Sequence, residues 1–189
     1  GLVGSEMCIR DRDSLVPGTR VMGVDATSVQ LPDTPANQDH FPQPSNQSPG
    51  CGFPVMQLVA MFDLDTGALE GVIHSPLNAH EGGLFETELL PALGSGDLLV
   101  GDRAYGSYLH AAALQARGAD WLTRLNGARQ WPKGVSGDDT EVSWTRPRFK
   151  DMPPHVSQEQ WAALPKTLTV RYVRYRIESA GMRTREVII

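Results

Sequence analysis

Cysteine is nearly absent from this chain. Cys8 and Cys51 are the only two among 189 residues, and no CxxC occurs. That excludes a zinc knuckle and a disulfide framework, and it fits a reducing compartment. Long apolar runs are missing as well. Nothing is long enough to span a bilayer and there is no secretory h-region, so no membrane partner is expected and the expected location is the cytoplasm. Basic residues are scarce over most of the length: residues 1–125 hold 6 Lys and Arg against 15 Asp and Glu. Residues 126–189 reverse this, with 11 against 7, so the two parts carry net charges of −9 and +4. The total of −5 argues against a generic nucleic-acid binder. The split suggests an acidic site in the first part and an anionic partner for the second, and chance variation between two solvated surfaces accounts for the same numbers.

The stretch Asp97–Tyr108, DLLVGDRAYGSY, organises the rest. Leu98, Leu99 and Val100 form a short apolar run that reads as a buried strand. Asp102 follows at its carboxyl end, where ligands gather in α/β sheets. It is placed either to bind a metal or polar substrate or to cap the turn before the next helix. A second acid stands out in RVMGVDATSV: Asp25 interrupts a strand-like run, and an acid there needs water, a partner or a metal.

Other segments fall into place around these two. Leu31–Pro54 contains six prolines and no Lys or Arg, which predicts a long loop without a regular element. Any nucleic-acid contact from it must use backbone amides, side-chain amides, His40 or Phe41. Val55–Phe62 and Leu69–Ser75 flank Asp63-Leu64-Asp65-Thr66-Gly67, the pattern of a hairpin with Asp63 and Asp65 as turn residues. His80–Leu93 reads as a helix with an irregular end at Pro91, and His80 and Glu81 as its start. The spacing of His74, His80 and Glu81 fits no zinc pattern. Ser107–Arg117 reads as a helix stopped by Gly118, and Ala119–Leu125 as another strand. This order predicts a mixed α/β sheet.

Residues 126–189 hold three of the four tryptophans. Thr140–Thr145 and Thr167–Ile177 are strand-like, and Arg185–Ile189 begins a further strand. In TLTVRYVRYRI, residues two apart share a face. Arg174 and Arg176 are expected to form a basic face toward DNA phosphates, with Arg171 at an edge or in an ion pair. A solvated outer sheet face accounts for the same pattern. At the other end, Gly1–Arg12 resembles translated sequencing-adapter read-through, which predicts a non-native leader containing Cys8. The chain stops within its last strand, which reads as a truncated reading frame.

Three stretches, VDATSVQLPDTPANQ, FPQPSNQSPGCGFPV and LLVGDRAYGSY, together resemble bacterial insertion-sequence transposases of the DDE class. The similar group carries its third acid in a Y-x2-R-x3-E-x6-K motif. The resemblance covers about Gly18–Leu125. It implies a ribonuclease H-like α/β core over residues 13–125 and a β-rich insertion over 126–189. It also implies Asp25 and Asp102 as catalytic acids and metal ligands, with Mg²⁺ or Mn²⁺ as cofactor. Arg103 and Tyr105 match the motif around the second acid and are expected to contact DNA. The implied activity is DNA strand cleavage and transfer, with a homodimer assembling on DNA ends. No Y-x2-R-x3-E-x6-K pattern occurs here, so the third acid is expected beyond Ile189. The alternatives are a nuclease of the same fold, a catalytically dead nucleic-acid-binding relic, or an unrelated metal hydrolase.

Overall fold

Apolar alternation makes β1 (Arg20–Gln30) a two-faced strand: Met22 and Val24 are buried on one face, and Asp25 is exposed on the other. The computed structural model describes residues 14–48, 50–77, 81–178, 181 and 185–189. The expected leader 1–12 and His80 lie outside the described residues. β1 pairs antiparallel with β2 (Val55–Asp63), which pairs antiparallel with β3 (Leu69–Pro76). Its other edge pairs parallel with β4 (Asp97–Gly101), and β4 pairs parallel with β5 (Asp120–Thr123). The resulting order, β3-β2-β1-β4-β5, is that of a ribonuclease H-like core. The β2–β3 turn is held as its residues predict: Asp63 Oδ1 accepts from the N–H groups of Asp65 and Thr66, both at 2.9 Å.

Two predicted elements differ in detail. The proline-rich loop contains a six-residue helix, α1 (Pro35–His40), because Thr34 caps Asn37 N–H and Pro35 sits where a helix tolerates it. The helix expected over His80–Leu93 is instead a single turn, α2 (Glu81–Leu84), then a π-helical turn (Phe85–Leu89) and a 3-10 turn (Leu90–Ala92). Pro91 lacks an N–H and its ring clashes with the carbonyl four residues back, so a regular helix cannot continue.

This irregular segment still closes the core. Phe85, Leu89, Leu90 and Leu93 pack on Met22, Val24, Val59, Met61 and Leu99. Next comes α3 (Tyr108–Arg117), capped by Ser107 and ended by Gly118 at φ 73°. That left-handed conformation suits glycine. Leu114 of α3 faces the first sheet. Tyr108, Ala111 and Ala112 face a second cluster with Trp144, Leu168 and Tyr172. The latter residues belong to an antiparallel sheet of β6 (Asp139–Thr145), β7 (Thr167–Ile177) and β8 (Arg185–Ile188), with α4 (Gln158–Ala163) between β6 and β7. Among the described residues no helix is long and apolar enough to cross a membrane.

At the amino end of the parallel pair, Arg20 binds Asp97 through two nitrogens, at 2.9 and 2.6 Å. Gly94 N–H donates to the same carboxylate at 2.8 Å. The Arg20 hydrogen bond holds the Asp97 carboxyl below the usual carboxylate range, against the opposing effect of burial. Its stabilisation is therefore complete above about pH 4, the ordinary carboxylate value, and is lost as pH falls through the depressed one. Asp97→Asn should cost about 1.5–3 kcal/mol near neutral pH. Melting followed by circular dichroism should show the difference between wild type and variant shrinking below about pH 4. A constant difference would mean that the pair contributes nothing through its charge.

Candidate active site

The parallel register of β1 and β4 runs Met22 with Leu99, Gly23 with Val100 and Val24 with Gly101. Asp25 and Asp102 stand one row further on. Gly101 faces the core, since a Cβ there would lie 3.1 Å from Val24 Cγ1 and 3.2 Å from Tyr105 Cβ. By alternation Asp25 and Asp102 take the opposite face, on strands about 4.8 Å apart. Both residues are exposed. Asp25 Oδ1 accepts from Ala26 N–H at 2.9 Å, and Asp102 Oδ1 accepts from Ala104 N–H at 2.7 Å. The second bond caps the 3-10 turn Arg103–Tyr105, so the capping role read from the sequence is filled by one oxygen. Among the described residues, neither acid is in a salt bridge and each Oδ2 makes no hydrogen bond. Two hard carboxylate oxygens facing water are a donor set that fits Mg²⁺ or Mn²⁺ keeping several waters. Among the described residues no group of three or more His, Cys, Asp or Glu side chains is arranged to hold a metal ion.

The family model described as the transposase DDE domain matches residues 17–178. The chain belongs to this DDE transposase family. No match was found among curated protein sequences. Among solved structures it is similar to a chain of the simian T-cell lymphotropic virus intasome in complex with PP2A regulatory subunit B56 gamma. The identity there is 18%, the TM-score 0.39, and the match covers 59% of this chain and 34% of the other. It is also similar to the piggyBac transposase in a synaptic complex with hairpin DNA, at 9% identity and TM-score 0.43, covering 89% of this chain and 32% of the other. The chain thus spans about a third of the length of either structural relative.

The remaining residues singled out in this DDE domain have different fates. Arg103 is exposed beside Asp102. Tyr105 is a correction: it is 2% exposed, edge-on to Phe85 and stacked with His110, so its ring is core and offers no face to DNA. Arg171 binds Asp139, as expected of an arginine on the opposite face from Arg174. Arg174 donates to Asp138 at 2.9 Å and to Gly137 O at 2.8 Å, and lies over Trp131. Its guanidinium is therefore engaged by residues 131–138. Arg176 is exposed and pairs in register with Glu186. Both arginines share the β7 face of Leu168, Val170 and Tyr172, whose packing on α3 ends before Arg176, which is exposed. In the proline-rich loop, Gln43 Oε1 accepts from Gly50 and Gly52, and Gln38 Nε2 donates to Asp33. Those amides tie the loop to itself. Phe41 meets the ring of His74.

One cluster has no signal in the sequence. Glu86, on the π-helical turn, meets His110 Nε2 at 3.1 Å and His155 Nε2 at 2.6 Å. Burial pushes the Glu86 carboxyl up, but the hydrogen bond and charge of His110, then those of His155, outweigh it and hold it below the usual range. The three residues are far apart in the chain, so only the fold joins them.

Asp102 carries a structural duty that a substitution can separate from chemistry. Asp102→Ala should destabilise the fold by about 1 kcal/mol through loss of the cap, whereas Asp102→Asn keeps an acceptor and should stay within a few tenths. Urea unfolding of both variants tests this. Equal losses would show that the cap contributes no stability.

Proposed function

We propose that this chain supplies two of the catalytic acids of a bacterial insertion-sequence transposase that cuts and joins DNA. The observation that carries the reading is the placement of Asp25 and Asp102 in one row of adjacent parallel strands, on the face away from the core. Asp25 and Asp102 would hold the divalent metal that the strand chemistry needs. When bound, the divalent ion supplies Lewis-acid activation of the attacking oxygen and stabilisation of the leaving one in an in-line displacement at phosphorus. The chain's own part is rigidity. β1 and β4 fix the two carboxylates, and the caps at Ala26 and Ala104 hold one oxygen of each while the other faces solvent. Arg103 pairs with a phosphate oxygen of the strand. The whole enzyme works as a homodimer that brings two DNA ends together.

Electron paramagnetic resonance of Mn²⁺ titrated into the chain tests the site. One weak site should appear. Asp25→Asn or Asp102→Asn should weaken it on the order of tenfold or more, because even indirect partners of a metal ligand cost roughly that much. Binding unchanged in both variants would end the reading. The chain by itself should give no strand transfer with Mn²⁺. Efficient transfer would mean that another of its carboxylates completes the set.

A further inference from the structure

The carboxyl edge of the first sheet carries cations beside its acids. β4 and β5 pair with Gly101 opposite Thr123, which makes Arg124 the β5 member of the row that holds Asp25 and Asp102. Arg103 follows Asp102 directly. Arg129 closes the turn after β5, its N–H donating to Asn126 O at 2.8 Å. These three arginines and Gly127 line a pocket of about 190 Å³. In a part of the chain where only 6 of 125 residues are basic, two of them meet here.

The guanidinium of Arg129 lies 3.6 Å from the centre of the Trp144 ring. Such stacking orients the fork without neutralising its charge. None of the three arginines is in a salt bridge among the described residues. Glu186 is the one carboxylate on the rim, so the pocket keeps a net positive charge. Guanidinium forks match the oxygens of a phosphodiester. We propose that this pocket grips a backbone phosphate of the DNA strand, next along from the phosphodiester held at Asp25 and Asp102. The proposal rests on the transposase reading for the identity of the ligand as DNA. It assigns to Arg124 and Arg129 a positioning role: they set where the strand lies along the row of acids.

The test is fluorescence anisotropy of a labelled DNA duplex titrated with the 189-residue chain over a range of NaCl concentrations. Each phosphate that is no longer neutralised should reduce the salt slope by about 0.9 for a duplex, and by about 0.7 for a single strand. Arg124→Ala should free one phosphate, and Arg124→Ala with Arg129→Ala two. Arg129 packs on Trp144, so Arg129→Lys serves as a second variant that keeps the charge. It should keep most of the slope and lose affinity. Arg148→Ala, at an exposed arginine paired with Asp151, should leave the slope unchanged. A slope unaffected by Arg124→Ala and by the double variant overturns the pocket. So does wild-type binding without salt dependence. If the slope falls as stated while Asp25→Asn and Asp102→Asn both leave Mn²⁺ binding unchanged, the pocket stands and the catalytic reading falls. The reverse pair of results removes the pocket alone.

Discussion

The parallel pairing of β1 with β4 is the constraint on which the other features depend. Side chains alternate along a strand, so a slip of one residue would turn Asp25 into the core and Met22 out of it. The register is pinned at both ends. Arg20 and Asp97 lock the amino end, where Asp97 also accepts from Gly94. At the carboxyl end, Gly101 leaves room for Val24 and Tyr105 to close over it, and a Cβ there would meet both within 3.2 Å. Between these points Met22 and Leu99 are completely buried. The acids are thus positioned by the register of the two strands, and the Ala26 and Ala104 N–H groups hold one oxygen of each.

The helix α3 transmits that position to the rest of the molecule. Its Leu114 belongs to the first core, and its Tyr108, Ala111 and Ala112 belong to the second. Alanines on the outer side let Trp144 and Tyr172 approach the helix backbone closely, and the Tyr108 hydroxyl reaches Pro165 O. Two further ties act in parallel. Leu125 N–H donates to Ile188 O at 2.8 Å, and His155 reaches across to Glu86 at 2.6 Å. The second sheet is therefore fixed relative to the acids by a helix, a strand extension and a charged contact. Arg129 can sit beside the acid row only because Trp144, its stacking partner, is anchored this way.

Most of the strands are legible in the sequence because their period is short and their ends are marked. Thr167–Ile177 has the limits its alternation predicts, and Ser107 and Gly118 delimit α3 as a cap and a stop should. The acids stand out because charge in an apolar strand is rare. Tyr105 misleads because its motif says nothing of burial; the ring turns inward at a 3-10 turn whose direction is set by Asp102. The face of Arg174 and Arg176 is only half legible for a related reason. Alternation shows that the two share a face but not which face is packed, and that depends on where α3 lies. Arg124 gives no signal at all. Its alignment with Asp25 and Asp102 exists only through strand order, which places β5 beside β4 and β4 beside β1.

The two faces of the first sheet have unequal duties, and this explains why the acids lie where they do. The core face is closed by the segment 81–93 and by α3. On the other face, the amino half is sealed locally: Leu64, from the β2–β3 turn, folds over Gly23, where a Cβ would lie 2.7 Å from Leu64 Cδ2. A side chain at position 23 would lift that cover. The carboxyl half has no such cover among the described residues, and Val29 and Val72 are exposed on the same face as the acids. Parallel strands are usually covered on both faces, so an open half is unusual. Carboxylates that hold a hydrated divalent ion must remain open to water, and a phosphodiester must be able to reach them. On the proposed function the sheet meets both demands by closing the end where Arg20 and Asp97 fix the register and leaving open the end where Asp25 and Asp102 face solvent.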